Sequence, residues 1–403
     1  MSSEAAVGHE AGPRARAAGV VLAVATVGFT VNFWAWALIS PLGAAYRAEL
    51  GLTVFQQSLL VALPVLVGSL GRIPVGALTD RIGARVMFPA VSLLTVLPVL
   101  FVGFYGDSYG RLLVGGFLLG IGGTAFAVGV PLVNSWYPPE RRGLAIGVFG
   151  VGMGGTAISA FTTVRLADRF DRSTPFAIVA CALVLYAVVA AVVLRDRPGR
   201  ALPQGSFLAR TWATATMPAT LRLSLLYAIG FGGFVAFSVY LPTYLTNAYH
   251  LTSNDAAMRT AGFVVLAVAM RPIGGWLSDR FGPVPVLVVC FLATTVLAAL
   301  AAVELSLVPW GTVAFLGLAA ALGATSGAVF ALVARLAPAD KVGAVTGIVG
   351  AAGGLGGFVP PLVMGSIYGR TGDYSLGLVL LSVVALATAV FTWTNVRRSV
   401  GNS

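Results

Sequence analysis

Two arginines stand inside long apolar stretches of the sequence, and they are the residues best suited to chemistry. Arg72 lies in the segment GRIPVGALTDRIG and Arg271 lies in the segment MRPIGGWLSDRFG. A guanidinium is planar and permanently charged, and it can donate two parallel hydrogen bonds to a planar oxyanion. The two residues therefore predict binding of a small anion such as nitrate, nitrite, formate or bicarbonate.

Acidic residues that could neutralise these arginines are absent from the middle of every apolar stretch. All 14 Asp and Glu residues fall in predicted tails, loops or span ends. His9 and His250 fall in a tail and a loop, while Cys181 and Cys290 lie in apolar runs as expected of small core residues. The missing counter-ion is therefore predicted to be the substrate. No metal site, cofactor or enzymatic nucleophile is predicted.

A structural role is the alternative for the two arginines, which can donate to backbone carbonyls or extend towards the membrane surface. Each lies eight residues before the Asp of a DRxG turn, at Asp80 and Asp279. That separation is about 12 Å along a helix and reaches towards the midplane of a core of about 30 Å. At this depth, a side chain does not easily extend to the membrane surface, so this alternative is disfavoured.

The elements that position these arginines are predicted to be membrane-spanning helices. Of the 403 residues, 58% are apolar and 10% are charged, and the mean hydropathy is +0.92. A soluble domain carries about 25% charged residues. The composition therefore excludes a soluble or disordered protein, and the net charge of +11 is attributed to basic loops rather than to nucleic-acid binding.

Twelve apolar runs are long enough to cross a bilayer as helices. The first lacks a small-residue cleavage site followed by a polar segment, so we interpret it as a span rather than a removed signal peptide. If the N-terminus is cytoplasmic, 16 of the 25 basic residues lie on the cytoplasmic side and seven on the other. The positive-inside rule therefore predicts a multi-pass protein of the inner (plasma) membrane with both termini in the cytoplasm.

An internal repeat divides the chain into two halves. The Arg72 and Arg271 segments align at an offset of 199, and glycines of the fifth and eleventh runs align at an offset of 200. Such repeats are typical of secondary transporters, whose sites lie between the halves. The predicted organisation is a cytoplasmic tail at 1–18, a six-helix bundle at 19–194, a linker at 195–219, a second six-helix bundle at 220–396 and a tail at 397–403.

Three further patterns each have a structural and a functional interpretation. The glycines that recur along one helical face pack helices closely, or leave a bare surface for a ligand or a sliding helix. Aromatic residues in the fourth and seventh runs pack in the core, or stack on a planar anion. The DRxG turns are a charged cytoplasmic gate, or solvated loops. These residues are Gly147, Gly150, Gly154, Gly347, Gly350 and Gly354; Phe126, Tyr227, Phe231 and Phe234; and Asp80, Arg81, Asp279 and Arg280.

The chain resembles the major facilitator superfamily over nearly its whole length, and more specifically the nitrate/nitrite porter family. The resemblance rests on the DRxG turns, the two arginine segments, the run GIVGAAGGLGGFVPP and the segment LLYAIGFGGFVAFSVYLP. It implies an all-α integral membrane fold with twelve helices in two pseudo-symmetric halves. It also implies that Arg72 and Arg271 hold the anion, that Phe126 and Phe231 stack on it, and that Tyr227 contributes a hydroxyl.

The same resemblance assigns Gly147, Gly150, Gly154, Gly347, Gly350, Gly353 and Gly354 to the family's two signature helices. The first signature usually carries an asparagine between its glycines, and Met153 stands there in this chain. A direct amide contact to the anion is therefore lost, and selectivity for nitrate over other anions is in question.

The resulting hypothesis is transport of nitrate or nitrite, as in nitrate assimilation, by alternating access. An empty carrier with two uncompensated arginines favours antiport. The alternatives are proton-coupled symport, and a facilitator carrying cyanate, a formate-like anion or an organic anion. A non-transporting anion sensor is disfavoured because the chain shows no soluble domain to transmit a signal. The expected partners are the small anion and the lipid bilayer, without nucleic acid, and the protein is expected to be a monomer.

Overall fold

The computed structural model describes residues 3–197, 207–337 and 342–398, and these residues form helices without any strand. Twelve of the helical segments are long and apolar enough to cross a membrane, which confirms the predicted fold class. These spans 1 to 12 are Arg16–Leu50, Val54–Gly76, Ala84–Tyr105, Tyr109–Trp136, Ala145–Arg169, Thr174–Val193, Pro218–Tyr249, Ser253–Phe281, Pro283–Ala302, Leu307–Val333, Ala344–Thr371 and Ser375–Val396. A short helix, Phe207–Ala215, lies in the predicted linker.

Several spans are interrupted rather than continuous, which the sequence did not predict. Six spans consist of one helix each, with bounds Ala84–Tyr105, Thr174–Val193, Pro218–Tyr249, Ser253–Phe281, Pro283–Ala302 and Val342–Thr371. The others are divided into Ser3–Trp36 and Ile39–Leu50; Val54–Leu70 and Arg72–Ile82; Tyr109–Leu119, Gly120–Thr124 and Ala125–Trp136; Pro139–Gly150, Val151–Gly154 and Gly155–Arg169; Leu307–Gly311 and Thr312–Leu336; and Ser375–Phe391 and Thr392–Val396.

The interruptions in spans 4 and 5 are 3₁₀ turns, and both are glycine-rich. They cover Gly120–Thr124 and Val151–Gly154. Mid-helix 3₁₀ turns are often found at hinges. Gly123 of the first turn contacts Arg72, and Met153 of the second turn contacts Arg271. The irregular backbone therefore lies beside the two membrane arginines.

The glycines of the two DRxG turns have a conformational role. Gly83 adopts a φ of 104° and Gly282 a φ of 86°, which residues with a side chain rarely adopt. Each ends its helix, and the backbone N–H of each donates to a carbonyl four residues earlier. The repeat thus places the same chain reversal after span 2 and after span 8. We call this end of the bundle the turn side and the other end the opposite side.

Close backbone contacts hold the span that carries each arginine against another span of the same half. A Cβ built on Gly327 of span 10 lies 2.0 Å from the Arg271 carbonyl oxygen. In the other half, a Cβ built on Gly123 of span 4 lies 2.9 Å from the Gly68 Cα atom. Small residues at these crossings allow the backbones to approach. The spans of both arginines are therefore closely packed within their own halves.

Polar contacts join the two halves on the opposite side. Arg47 Nη1 donates to Asn247 Oδ1 at 3.0 Å, and Gln57 Nε2 donates to Thr243 Oγ1 at 3.1 Å. Further contacts between halves connect Ser58 with Tyr240 and the Ser40 hydroxyl with the Val239 carbonyl. The bundle is therefore closed on this side.

Three glycines towards the turn side have no atom close to the position of an added Cβ. A Cβ built on Gly147 or Gly347 meets no atom within 4 Å, and the same is true at Gly275. These glycines belong to spans 5, 11 and 8, which come from both halves. The structure therefore shows polar contacts between the halves on the opposite side and free space beside these three glycines.

The contact between Arg47 and Asn247 is expected to contribute to this closure. Hydrogen bonds to charged groups contribute about 1.5–3 kcal/mol, and partial exposure reduces this to about 1 kcal/mol. Asn247→Ala is therefore expected to raise the population open on the opposite side roughly fivefold. Spin labels on Gly110→Cys and Gly369→Cys, two positions with open space, report the separation of the halves after both native cysteines are replaced.

Arg111→Ala supplies the control for this measurement. Arg111 pairs with Asp107 one turn away, within the same half, and both side chains are more than half exposed. This variant is expected to leave the label distances unchanged. An equal change in both variants would contradict a role for the Asn247 contact in closure.

Candidate functional site

Arg72 is buried where the two halves meet. Its Nε donates to the Gly123 carbonyl at 3.2 Å within its own half, and its Nη1 donates to the Gly350 carbonyl of span 11 at 2.8 Å. The guanidinium carbon lies 5.1 Å from the centre of the Phe126 ring. The side chain is only 8% exposed, so the alternative of extension to the membrane surface is excluded. The alternative of bonds to backbone carbonyls does describe its present contacts.

Arg271 has different neighbours from Arg72. Its Nη2 donates to the Tyr227 hydroxyl at 3.2 Å, and its Nη1 contacts the Met153 sulfur of the other half. The guanidinium carbon lies 5.4 Å from the centre of the Phe231 ring. A thioether is a weak acceptor, and Arg271 is only partly buried. Arg271 is therefore less fully hydrogen-bonded and more exposed than Arg72.

Two adjacent glycines of span 11 connect the surroundings of the two arginines. A Cβ built on Gly353 lies 2.3 Å from the Tyr227 ring and 2.8 Å from the Phe231 ring. A Cβ built on Gly354 lies 3.4 Å from Arg72 Nη1. The two surroundings therefore form one site, in which the bare backbone of span 11 lies between them.

Three of the four aromatic residues named from the sequence, Phe126, Tyr227 and Phe231, lie beside the two arginines. The Tyr227 and Phe231 rings stack with centres 4.6 Å apart and planes 5° apart, and both rings are nearly fully buried. Phe126 packs 5.6 Å from the Phe29 ring as well as against Arg72. Phe234 contacts Phe231 on the side towards Phe263 and belongs to the core. Each arginine therefore has one ring beside it.

The signature glycines fall into two groups according to their surroundings. Gly150, Gly350, Gly353 and Gly354 lie against site residues; a Cβ on Gly150 lies 4.0 Å from the Arg271 guanidinium carbon, and one on Gly350 lies 3.1 Å from the Phe126 ring. Gly147, Gly154 and Gly347 face open space. Close packing therefore describes one group, and a ligand-binding or sliding surface stays a prediction for the other.

The predicted charged gate is only partly described by the structure. The Arg280 guanidinium lies over the rings of Trp276 and Phe281 on its own helix, and Asp279 is exposed. Arg81 is exposed and has an interaction within the protein. The side chain of Asp80 lies outside the described residues. The gate thus stays a prediction.

Ion pairs in the described part of the chain lie away from this site. They join Arg111 with Asp107, Arg172 with Glu49 and Arg259 with Asp255, and each has at least one clearly exposed partner. Among the described residues, no carboxylate pairs with Arg72 or Arg271. The two guanidiniums also repel each other electrostatically. The site therefore has an excess of positive charge within the membrane, where charge is costly.

Several site residues were missed from the sequence. Phe330 packs edge-on to Tyr227 at 5.0 Å, and Ser69 lies against Gly354. Phe330 follows a run of small residues in span 10, as Phe126 does in span 4, and that parallel could have identified it. The carbonyls of Gly123 and Gly350 carry no sequence signal, because every residue has a carbonyl.

Comparison with known proteins identifies the family. The sequence matches the Major Facilitator Superfamily over residues 25–244 and again over 223–402. A probable nitrate/nitrite transporter NarK2 of Mycobacterium tuberculosis is 51% identical over 390 residues, covering 96% of this chain and 98% of that protein. A nitrite extrusion protein of Bacillus subtilis is 37% identical and covers 92% and 93% of the two chains.

A further relative is similar in sequence, and a solved structure is similar in fold. A probable nitrate transporter NarT of Staphylococcus haemolyticus is 34% identical and covers 91% of this chain and 94% of that protein. The fold is similar to that of a bacterial homologue of the human lysosomal transporter Spinster, in an inward-facing and occupied conformation, with a TM-score of 0.71 and 18% identity over 94% and 96% of the chains. The protein is thus a membrane transporter, not an enzyme, and it belongs to the nitrate/nitrite porter family of the major facilitator superfamily.

Proposed function

We propose that this protein exchanges nitrate and nitrite across the cytoplasmic membrane. The observation that carries the proposal is the pair of guanidiniums contributed by equivalent positions of the two halves, with no carboxylate paired to either among the described residues. Relatives with up to 51% identity among those compared are named as nitrate or nitrite transporters. A planar anion supplies the negative charge that this site lacks, and its oxygens are stronger acceptors than the Met153 sulfur.

The proposed binding mode follows from the present contacts of the two arginines. The anion enters through the open space near Gly147 and Gly347 and first meets Arg271, which is partly exposed. Its oxygens replace the Met153 sulfur at Arg271 and the Gly350 carbonyl at Arg72. The Tyr227 hydroxyl donates a hydrogen bond to it, and the Phe126 and Phe231 rings lie against its plane.

Alternating access is the proposed transport cycle. The structure supports a state closed on the opposite side, where Arg47 and Asn247 link the halves. We propose that the turn side is cytoplasmic, in agreement with the excess of basic residues there. The bound anion reduces the cost of enclosing two cations at once. The carrier therefore changes between its two open states more easily with an anion bound than without one. Because it returns mainly in the loaded form, the transport of one anion inward is coupled to the transport of another outward.

Exchange predicts a specific dependence on the internal anion. Labelled nitrate uptake into proteoliposomes loaded with nitrite is expected to exceed uptake into anion-free vesicles at least ~10-fold, because enclosing an uncompensated charge costs about 2.5 kcal/mol or more. An imposed pH gradient is expected to leave the rate unchanged. Accumulation driven by a pH gradient alone would instead establish proton-coupled symport.

Another planar or linear anion is the second candidate substrate, and Met153 is the observation that favours it. A thioether contacts Arg271 where the family usually has an asparagine. Cyanate and formate should then compete with labelled nitrate in the exchange assay. Inhibition by nitrite but not by cyanate or formate supports the nitrate/nitrite assignment. Inhibition by cyanate or formate but not by nitrite supports the second candidate.

A further inference from the structure

A groove on the turn side of the N-terminal half lies outside the anion site. It has a volume of about 710 Å³ and is lined by Arg16, Val20, Trp136, Val193 and Arg195, among others. Trp136 ends span 4 and Val193 ends span 6, while Arg16 lies within the first helix, Ser3–Trp36. The ends of two spans therefore meet the first helix here, and the ends of membrane-spanning helices are where headgroups of a bilayer are expected.

The chemistry of the groove is divided between its floor and its rim. Valines and an alanine form an apolar floor, and Val20 is 44% exposed on the outer surface of the bundle. Arg16 and Arg195 are exposed and supply two positive charges at the rim. Trp136 also lines the groove, and tryptophan is enriched at membrane–water interfaces.

Hydrogen bonds fix the chain segment that carries Arg195. Trp136 Nε1 donates to the Arg195 carbonyl at 3.0 Å, and Arg197 Nη1 donates to the Ser135 carbonyl at 2.7 Å. The neighbouring Asp196 carboxylate accepts hydrogen bonds from the backbone N–H groups of Ala84 and Arg85. That acid is therefore directed to the start of span 3, and among the described residues no carboxylate pairs with Arg16 or Arg195.

We propose that this groove binds an anionic phospholipid, with its phosphate between Arg16 and Arg195 and an acyl chain along the valine floor. Charge complementarity selects an anionic headgroup, and basic pockets between transmembrane helices bind such headgroups. The apolar floor and its position at the span ends select a lipid over a free phosphate. This site is separate from the anion site and does not depend on the transported substrate.

Native mass spectrometry of the detergent-purified full chain tests the proposal. Phosphatidylglycerol is expected to bind at least ~10-fold more tightly than phosphatidylcholine, because each arginine near the phosphate contributes to the attraction. The double variant Arg16→Gln/Arg195→Gln is expected to lose this preference. Arg16→Lys/Arg195→Lys is expected to retain most of it, which separates a loss of charge from a failure to fold.

Matched controls identify the source of any binding. Arg335→Gln removes an exposed arginine at the end of span 10, on the turn side of the other half, and is expected to leave the preference intact. Equal loss in this variant, or equal binding of the two lipids, would overturn the proposal. Displacement of the lipid by an excess of inorganic phosphate would also overturn it, because the site would then recognise a free anion. Nitrate exchange in phosphatidylcholine vesicles reports separately on the transport function.

Discussion

Arg72→Lys and Arg271→Lys are each expected to lower nitrate exchange about 100-fold or more. Lysine keeps the positive charge but has no planar pair of donors, so it cannot bind an oxyanion through two parallel hydrogen bonds. Loss of about 3 kcal/mol of charged hydrogen bonding corresponds to roughly two factors of ten. The initial rate of labelled nitrate uptake into nitrite-loaded proteoliposomes measures the effect.

Arg259→Lys is the matched control for these two substitutions. Arg259 lies in the same span as Arg271 but pairs with Asp255 one turn away, and both side chains are partly exposed. Its replacement is expected to leave exchange within about twofold, because exposed ion pairs contribute little. Exchange by a folded Arg72→Lys or Arg271→Lys variant at the rate of this control would remove that arginine from the site.

Gly353→Ala is expected to have the second largest effect. The added methyl group lies 2.3 Å from the Tyr227 ring and 2.8 Å from the Phe231 ring. Both rings are nearly fully buried and stack on each other, so neither can move aside freely. Overpacking of this kind costs about 1–3 kcal/mol. We expect exchange to fall at least ~10-fold because Tyr227 moves away from Arg271, and the transport assay measures this loss.

Gly347→Ala distinguishes a local clash from a general effect of alanine in span 11. A Cβ at Gly347 meets no atom within 4 Å, and alanine favours a helix over glycine by about 1 kcal/mol. This variant is expected to match or exceed the native protein in melting temperature, whereas Gly353→Ala should melt lower. Native exchange by Gly353→Ala would contradict the packing of Tyr227 and Phe231 against span 11.

The fold could be predicted from the sequence because each of its determinants is a local pattern. Twelve apolar runs define twelve spans, and the repeated segments around Arg72 and Arg271 define two halves. Gly83 and Gly282 were recognised only as part of the DRxG motif. Their positive φ angles explain why the motif has a glycine at this position. The breaks within the spans could not be predicted, because Gly71 and Gly123 have neighbours that are equally compatible with a continuous helix.

The side chains of the candidate site could be predicted from the sequence, but the backbone groups that contact them could not. Arg72, Arg271 and Tyr227 have distinctive chemistry and stand out in an apolar sequence. The partners of Arg72 are backbone carbonyls, and the one at Gly350 comes from a span 278 residues away in the chain. Such contacts depend on how the two halves pack. The same is true of the Met153 sulfur at Arg271, which belongs to the other half.

The bond between Arg72 and the Gly350 carbonyl has a consequence for turnover. An anion that takes over this donor must first break the bond, so its apparent affinity is weakened about tenfold for each 1.4 kcal/mol that the bond contributes. The same carbonyl is available to recapture the guanidinium when the anion leaves, which shortens the anion's residence time. A carrier must release its cargo as readily as it captures it. The Gly350 carbonyl thus competes with the anion for Arg72, and this competition favours fast turnover over tight binding.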